Sequence, residues 1–160
     1  MTHPARLSAA FDPPLPQDAA ARLLVHPRFA ARIEAMCGPT DHTRDGLEAL
    51  ARRAGPILHA RAFVREIRGP AIADLTARFG ADALADARAH ADLGWNRDAP
   101  IDTLAADGIA CLGAWIAALP EPERRGVSML WPDDDAVPCT TDATILTLGP
   151  RIITRLMDVK

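Results

Sequence analysis

Several residue types are missing or rare in this chain, and their scarcity limits the functions it can have. Tyrosine is absent, and Lys160 is the only lysine among 18 basic residues. The alanine and arginine bias is typical of a GC-rich bacterial genome, so the arginines alone indicate no function. Cys37, Cys111 and Cys139 are widely spaced and form no C-x-x-C pair. Neither a disulfide framework nor a zinc site is therefore predicted, and reduced thiols are expected.

Long apolar runs and strong positive charge are also missing. No stretch approaches the ~20 apolar residues that cross a bilayer, and the N-terminus has no apolar signal region. A cytoplasmic protein is therefore predicted. The formal charge is −3 and the isoelectric point is near 5.9, which argues against nucleic acid as a partner because phosphates need a basic face.

No catalytic or cofactor-binding motif is present. The five histidines are scattered without ligand spacing, and the chain has neither a G-x-S-x-G nucleophile turn nor a phosphate-binding glycine loop. His59 and His90 lie in predicted helices, where a surface or hydrogen-bonded histidine is expected. Cys111 lies in an apolar helix and is expected in the core. The chain is therefore predicted to bind no metal and no cofactor, and not to be an enzyme.

The pattern of the chain predicts a mainly α fold. With 49% apolar and 24% charged residues, the chain has the composition of a globular protein rather than a disordered one. We expect a proline-rich, extended N-terminal arm over residues 1–16, anchored by Phe11 and Leu15, and a single helical domain over residues 17–160.

Helices are predicted by apolar spacing and by their end signals. The clearest runs from Asp102, placed as its N-cap, to Leu119, with a buried stripe that includes Ile109. Trp115 is expected to be buried on this helix. A break or a kink is predicted at Gly55-Pro56. The other predicted helical segments are 17–25, 28–36 up to Gly38-Pro39, 45–58 with continuation through Phe63, Val64 and Ile67, 70–79, 81–93 and 149–159.

Two short strands are predicted near the C-terminus, giving the bundle a minor β element. Residues 127–131 are an apolar run bounded by Gly126 and Pro132, and residues 144–148 alternate β-branched residues with leucine. Asp133, Asp134 and Asp135 are predicted to form an acidic turn between the strands.

Four residues are candidates for partner binding. Trp95 and Trp131 fall in predicted loop or strand-edge positions, where a large aromatic side chain pins a loop to the core or anchors a partner. Core pinning is favoured for both. Arg124 and Arg125 follow an acidic turn and form either a solvated turn or a partner contact.

The strongest alternative to a protein that acts as a scaffold is a DNA-binding protein with a helix-turn-helix. Residues 72–90 form two predicted helices around Phe79-Gly80, as in many DNA-binding units. However, Asp82, Asp86 and Asp92 oppose a single arginine in the second helix, and they would repel phosphates.

The order of motifs resembles the SctK family (YscK, PscK, OrgA-like) of type III secretion. The resemblance spans about residues 47–132 and runs in the order Gly55-Pro56-Ile57-Leu58-His59-Ala60-Arg61, Ile67-x-Gly69, Leu75-x-x-x-Phe79-Gly80, Ala87-x-x-x-Ala91, Asp107-Gly108-x-x-Cys111-Leu112-x-x-Trp115, Leu119-Pro120 and the segment 127–132. The arm and the last thirty residues match nothing in that family. The resemblance implies a non-enzymatic cytosolic adaptor between the inner-membrane ring of the injectisome and the pod protein of its sorting platform.

The sequence leaves alternatives to this adaptor. A small-ligand-binding or regulatory helical domain, with a pocket lined by Trp, Met and Leu, would have a similar sequence. A helix-turn-helix DNA-binding protein and an enzyme that uses dispersed Asp, Arg and His residues also remain open.

Overall fold

Helices form all the regular structure in the part of the chain that the computed structural model describes, residues 2–37, 42–61, 69–95 and 100–158. The mainly α prediction is confirmed. The helices are α1 (Pro4–Ala9), α2 (Gln17–Leu24), α3 (Pro27–Cys37), α4 (Arg44–Leu58), α5 (Gly69–Phe79), α6 (Ala83–Ala89), α7 (Leu104–Ala118), α8 (Glu121–Ser128) and α9 (Ala143–Asp158), with 3-10 turns at Ala91–Leu93 and Ile101–Thr103.

Neither of the two predicted C-terminal strands forms: residues 127–131 end a helix and continue as a turn, and residues 144–148 are helical. Val127 and Ser128 end α8, and residues 144–148 form the first half of α9. The carboxylate of Asp142 accepts hydrogen bonds from the amides of Thr144 (2.8 Å) and Ile145 (3.1 Å), which starts the helix. The local alternation is overridden because the apolar residues of the whole segment recur at helical spacing. Its buried positions are Ile145, Gly149, Ile152, Ile153 and Leu156.

The predicted extended arm contains a helix. Pro4 occupies the first turn of α1, where a missing amide hydrogen costs nothing, and the ring of His3 accepts a hydrogen bond from the amide of Ala5 (3.2 Å). Pro4 therefore starts this helix, and the other prolines of the predicted arm follow its end. Of the two predicted anchors, Leu15 is half-buried and Phe11 is 40% exposed.

Other boundaries also differ from the sequence predictions. Helix α4 continues through Pro56 to Leu58, so no break occurs at Gly55-Pro56. Asp102 lies in the 3-10 turn before α7, and its carboxylate pairs with Arg78 instead of capping the helix. Ile109 is 52% exposed, because it lies about 140° around the helix from Leu104. Gly38-Pro39 and the continuation through Phe63, Val64 and Ile67 lie outside the described residues.

The chain divides by contact into two compact units. Unit 1 comprises Met1–Gly46 and Ile116–Val137, and unit 2 comprises Leu47–Trp115 and Pro138–Lys160. In unit 1, α1 packs on α2 and α3 packs on both α2 and α8. Its small apolar cluster consists of Leu7, Ala20 and Leu24, with Leu23 and Phe29 against it. The predicted arm is thus part of a packed unit.

Unit 2 is organised by close approaches between helix backbones. A Cβ atom added to Gly55 of α4 would lie 2.0 Å from the carbonyl oxygen of Leu104, and one added to Gly108 of α7 would lie 2.1 Å from the carbonyl oxygen of Ala51. A Cβ added to Gly149 of α9 would lie 2.9 Å from Cys111. Only glycine permits these separations. Helix α7 therefore packs against α4 and α9 at backbone distance, and Cys111 is fully buried, as predicted.

Candidate interaction surface and a buried histidine–aspartate pair

The predicted contact residues Arg124 and Arg125 lie on the surface of unit 1, in α8. Both bind the carboxylate of Glu121 one turn earlier, with Arg125 at 3.1 Å. The hydrogen bond from Arg124, followed by that from Arg125, lowers the pKa of Glu121. Exposed pairs of this kind contribute little to stability. The two guanidinium groups are accessible, and their partner role stays a prediction.

Trp131, another predicted contact, lies in the core of unit 1. Its side chain is buried, with 3% of the residue exposed. Its carbonyl accepts a hydrogen bond from Nε of Arg6 (2.9 Å), and the same guanidinium binds Asp134 at 2.7 Å. The amide of His3 donates to the carbonyl of Met129 at 2.7 Å. This segment therefore binds the N-terminal helix, which favours the core-pinning role of Trp131 over a partner contact.

Trp95 is half-buried and packs on a histidine of unit 2. Its ring centroid lies 6.1 Å from that of His59, with the planes at 30°. Its amide donates to the carbonyl of Leu58, at the end of α4. The indole thus covers the end of α4, and a part of it remains exposed beside the histidine.

His59 forms the most buried polar interaction described in unit 2. It follows α4 directly, with 1% of the residue exposed, and its Nε2 lies 2.8 Å from Oδ2 of Asp107 on α7. The close contact of Gly55 and Gly108 brings α4 and α7 near enough for this bond. The hydrogen-bonded histidine is as predicted, whereas its partner was missed. The sequence did contain one indication of a buried polar partner, because Asp107 is the only charged residue in the apolar segment 104–118.

The chemistry open to this pair is limited by its surroundings. Asp107 can orient the imidazole, as a carboxylate does for a catalytic base. The nearest thiol along α7 belongs to Cys111, and burial, followed by the charge of Asp107, raises its pKa to about 12. A protonated thiol is a poor nucleophile. The geometry therefore favours a structural role, in which the pair joins α4 to α7.

The cysteines and histidines of the described residues do not come together in a metal site. No set of three or more His, Cys, Asp or Glu residues there could hold a metal ion. Cys139 is exposed, and the side chain of Cys37 lies outside the described ones. His90 is half-buried at the end of α6.

The predicted pair of helices around Gly80 is present, as α5 and α6. Gly80 has φ of +92°, which explains the glycine at the turn between α5 and α6. Arg53 of α4 binds both carboxylate oxygens of Asp86, at 2.7 and 3.0 Å, and this hydrogen bonding raises the pKa of Arg53. The only basic residue of α6, Arg88, is exposed. Helix α6 therefore carries one acidic and one basic residue, so it presents no basic face to a phosphate backbone.

Among the described helices, none combines the length and apolar character that crossing a bilayer needs.

Comparison with known proteins relates the chain to a nodulation protein of rhizobia. The chain is 34% identical over 149 residues to nodulation protein NolU of Rhizobium fredii, and the match covers 82% of this chain and 70% of that protein. The same values hold for nodulation protein NolU of Sinorhizobium fredii (strain NBRC 101917 / NGR234). The chain belongs to the NolU family. No family model matches it, and no solved structure does. This relationship does not by itself identify the chain as a member of the SctK family, and that resemblance stays a prediction.

Proposed function

We propose that this protein is a non-enzymatic cytosolic adaptor of a bacterial type III secretion apparatus, joining the inner-membrane ring to the pod protein of the sorting platform. The observation that carries the proposal is the relationship to nodulation proteins of rhizobia. Nodulation brings a bacterium into contact with a host cell, the setting in which injectisomes work. The ordered motifs of residues 47–132, which resemble SctK, supply the adaptor role.

The non-enzymatic part of the proposal is supported by unit 2. His59, the base that Asp107 could orient, is buried beneath Trp95, so a substrate has no direct path to it. The neighbouring thiol of Cys111 stays protonated. A general base must lie within hydrogen-bond reach of the proton that it takes, and a base buried in this way has no such access.

A secretion assay tests the proposed role. The gene is deleted in its native strain, and proteins released through the type III route are quantified in the culture supernatant. We expect release to stop and to be restored by the wild-type chain. Asp134→Asn, which removes only an exposed ion pair, is the matched control and should also restore release. Normal release from the deletion strain would contradict the adaptor role.

A further inference from the structure

The carboxylate of Asp107 carries a negative charge that no described basic side chain balances. Its Oδ2 lies 2.8 Å from Nε2 of His59, whereas Oδ1 has no hydrogen bond among the described residues. The side chain is 25% exposed, and no described arginine forms an ion pair with it. By contrast, Asp86 of the same unit binds Arg53 through both of its oxygens. Asp107 therefore lacks the cation that a largely buried carboxylate normally has.

His59 does not balance this charge, because its neutral form is the one that fits its surroundings. The Nδ1 atom is buried and has no hydrogen-bond partner among the described residues. A protonated imidazole would bury an N–H group there without an acceptor, which is unfavourable. The neutral ring needs only one N–H group, on Nε2, and donates it to Asp107. The pair thus keeps the negative charge of the carboxylate.

An aromatic side chain lies against the same histidine. The ring of Trp95 packs on that of His59 at 6.1 Å between centroids, and a part of Trp95 remains exposed. His59 therefore contacts both the indole and the carboxylate of Asp107. A guanidinium group suits this combination, because it stacks on aromatic rings and donates parallel hydrogen bonds to a carboxylate. The ammonium group of lysine is more strongly hydrated and has no planar surface, so it suits the combination less well.

We propose that Asp107 and Trp95 bind an arginine side chain of a partner protein. The guanidinium pairs with the carboxylate and lies against the part of the indole that His59 leaves uncovered. The proposal rests on the adaptor function only for the identity of the protein that supplies the arginine. It adds the chemistry by which that protein is recognised.

Nuclear magnetic resonance of the full chain tests this proposal with a short peptide as the probe. The peptide consists of glycines around one central arginine and has blocked ends, and its control carries citrulline, the uncharged isostere of arginine. The three tryptophans give three indole N–H signals, and Trp95→Phe identifies the signal of Trp95. We expect the arginine peptide to shift this signal with a Kd in the millimolar range. The citrulline peptide should not shift it, and the buried Trp115 and Trp131 should not respond to either.

Two matched substitutions test the role of the carboxylate. Asp107→Asn removes the charge but retains an acceptor oxygen for His59, so the chain should remain folded. The Kd of the arginine peptide should rise about tenfold or more, because the charge-assisted hydrogen bonds are lost. Asp82→Asn removes an exposed carboxylate elsewhere in unit 2, and it should leave the Kd unchanged.

Several results would overturn the proposal. They are no shift of the Trp95 signal, an equal shift with the citrulline peptide, an equal affinity for a lysine peptide, or an unchanged affinity of Asp107→Asn. The test is also independent of the proposed function. Normal secretion from the deletion strain would contradict the adaptor role and leave the arginine site in place, whereas a failure of the peptide to bind would remove the site and leave the adaptor role in place.

Discussion

Units 1 and 2 hold their helices together by different means. In unit 2, α4, α7 and α9 approach at backbone distance through Gly55, Gly108 and Gly149. In unit 1, a small leucine cluster packs α1 on α2, and the guanidinium of Arg6 binds the turn at Trp131 and Asp134. Backbone contacts leave no room for an added atom, whereas side-chain contacts can adjust. Substitutions should therefore be costlier in unit 2.

The largest effect is expected from Gly108→Ala. The new methyl group would lie 2.1 Å from the carbonyl oxygen of Ala51, so α4 and α7 must separate. We expect the free energy of unfolding, measured in urea, to fall by at least about 3 kcal/mol, the upper end of typical overpacking costs. Gly69→Ala is the matched control, because nothing lies within 4 Å of its added Cβ, and it should cause no loss. Equal effects of the two substitutions would contradict the close approach of α4 and α7 in unit 2.

The second effect concerns the buried polar pair of unit 2. Asp107→Ala leaves Nε2 of His59 without its 2.8 Å partner in a buried position. The free energy of unfolding should fall by about 1–3 kcal/mol, the usual cost of a stranded buried polar group. Asp107→Asn retains an acceptor oxygen and should recover most of this stability. A similar loss in both variants would mean that the charge matters more than the hydrogen bond.

The third effect is a pH dependence that originates in unit 2. Burial raises the pKa of Cys111 from 9.0 to about 12, so the folded state retains a proton that the unfolded state releases. The free energy of unfolding is therefore unaffected by this thiol below about pH 9, and it falls as the pH rises from 9 toward 12. Each pH unit in that window should cost about 1.4 kcal/mol.

Urea unfolding at pH 8 and pH 10 in reducing buffer measures this alkaline loss. Cys111→Ala provides the comparison, because Cys37 and Cys139 titrate in both proteins and their contributions cancel. The variant should lose less stability than the wild type between the two pH values. Equal losses would contradict the assignment to Cys111.

The smallest of these effects is expected in unit 1. Arg6→Ala removes the hydrogen bond to the carbonyl of Trp131 and the ion pair with Asp134, whose side chain is 89% exposed. We expect a loss of about 1 kcal/mol in urea, mostly from the hydrogen bond to the carbonyl. Asp134→Asn should change stability very little. A loss as large as that of Gly108→Ala would show that unit 1 is as intolerant as unit 2.

Features that depend on residue spacing within one helix could be predicted from the sequence. Contacts between distant parts of the chain could not. The burial of Cys111 and Trp115 followed from their positions in an apolar helix. The strand at residues 144–148 was wrong because its short alternation also fits one turn of a longer amphipathic helix. The partner of His59 was missed because Asp107 is 48 residues away and meets it only where two glycines let the helices touch.

Affinity capture from native lysate, followed by identification of the co-purifying proteins, tests the central claim most directly. The account predicts that the inner-membrane ring and pod components of a type III secretion apparatus are recovered with the wild-type chain, and that they are lost with Gly108→Ala if that variant unfolds unit 2. Recovery of the chain as a clean monomer carrying a bound metabolite would contradict the adaptor function and favour a small-ligand domain.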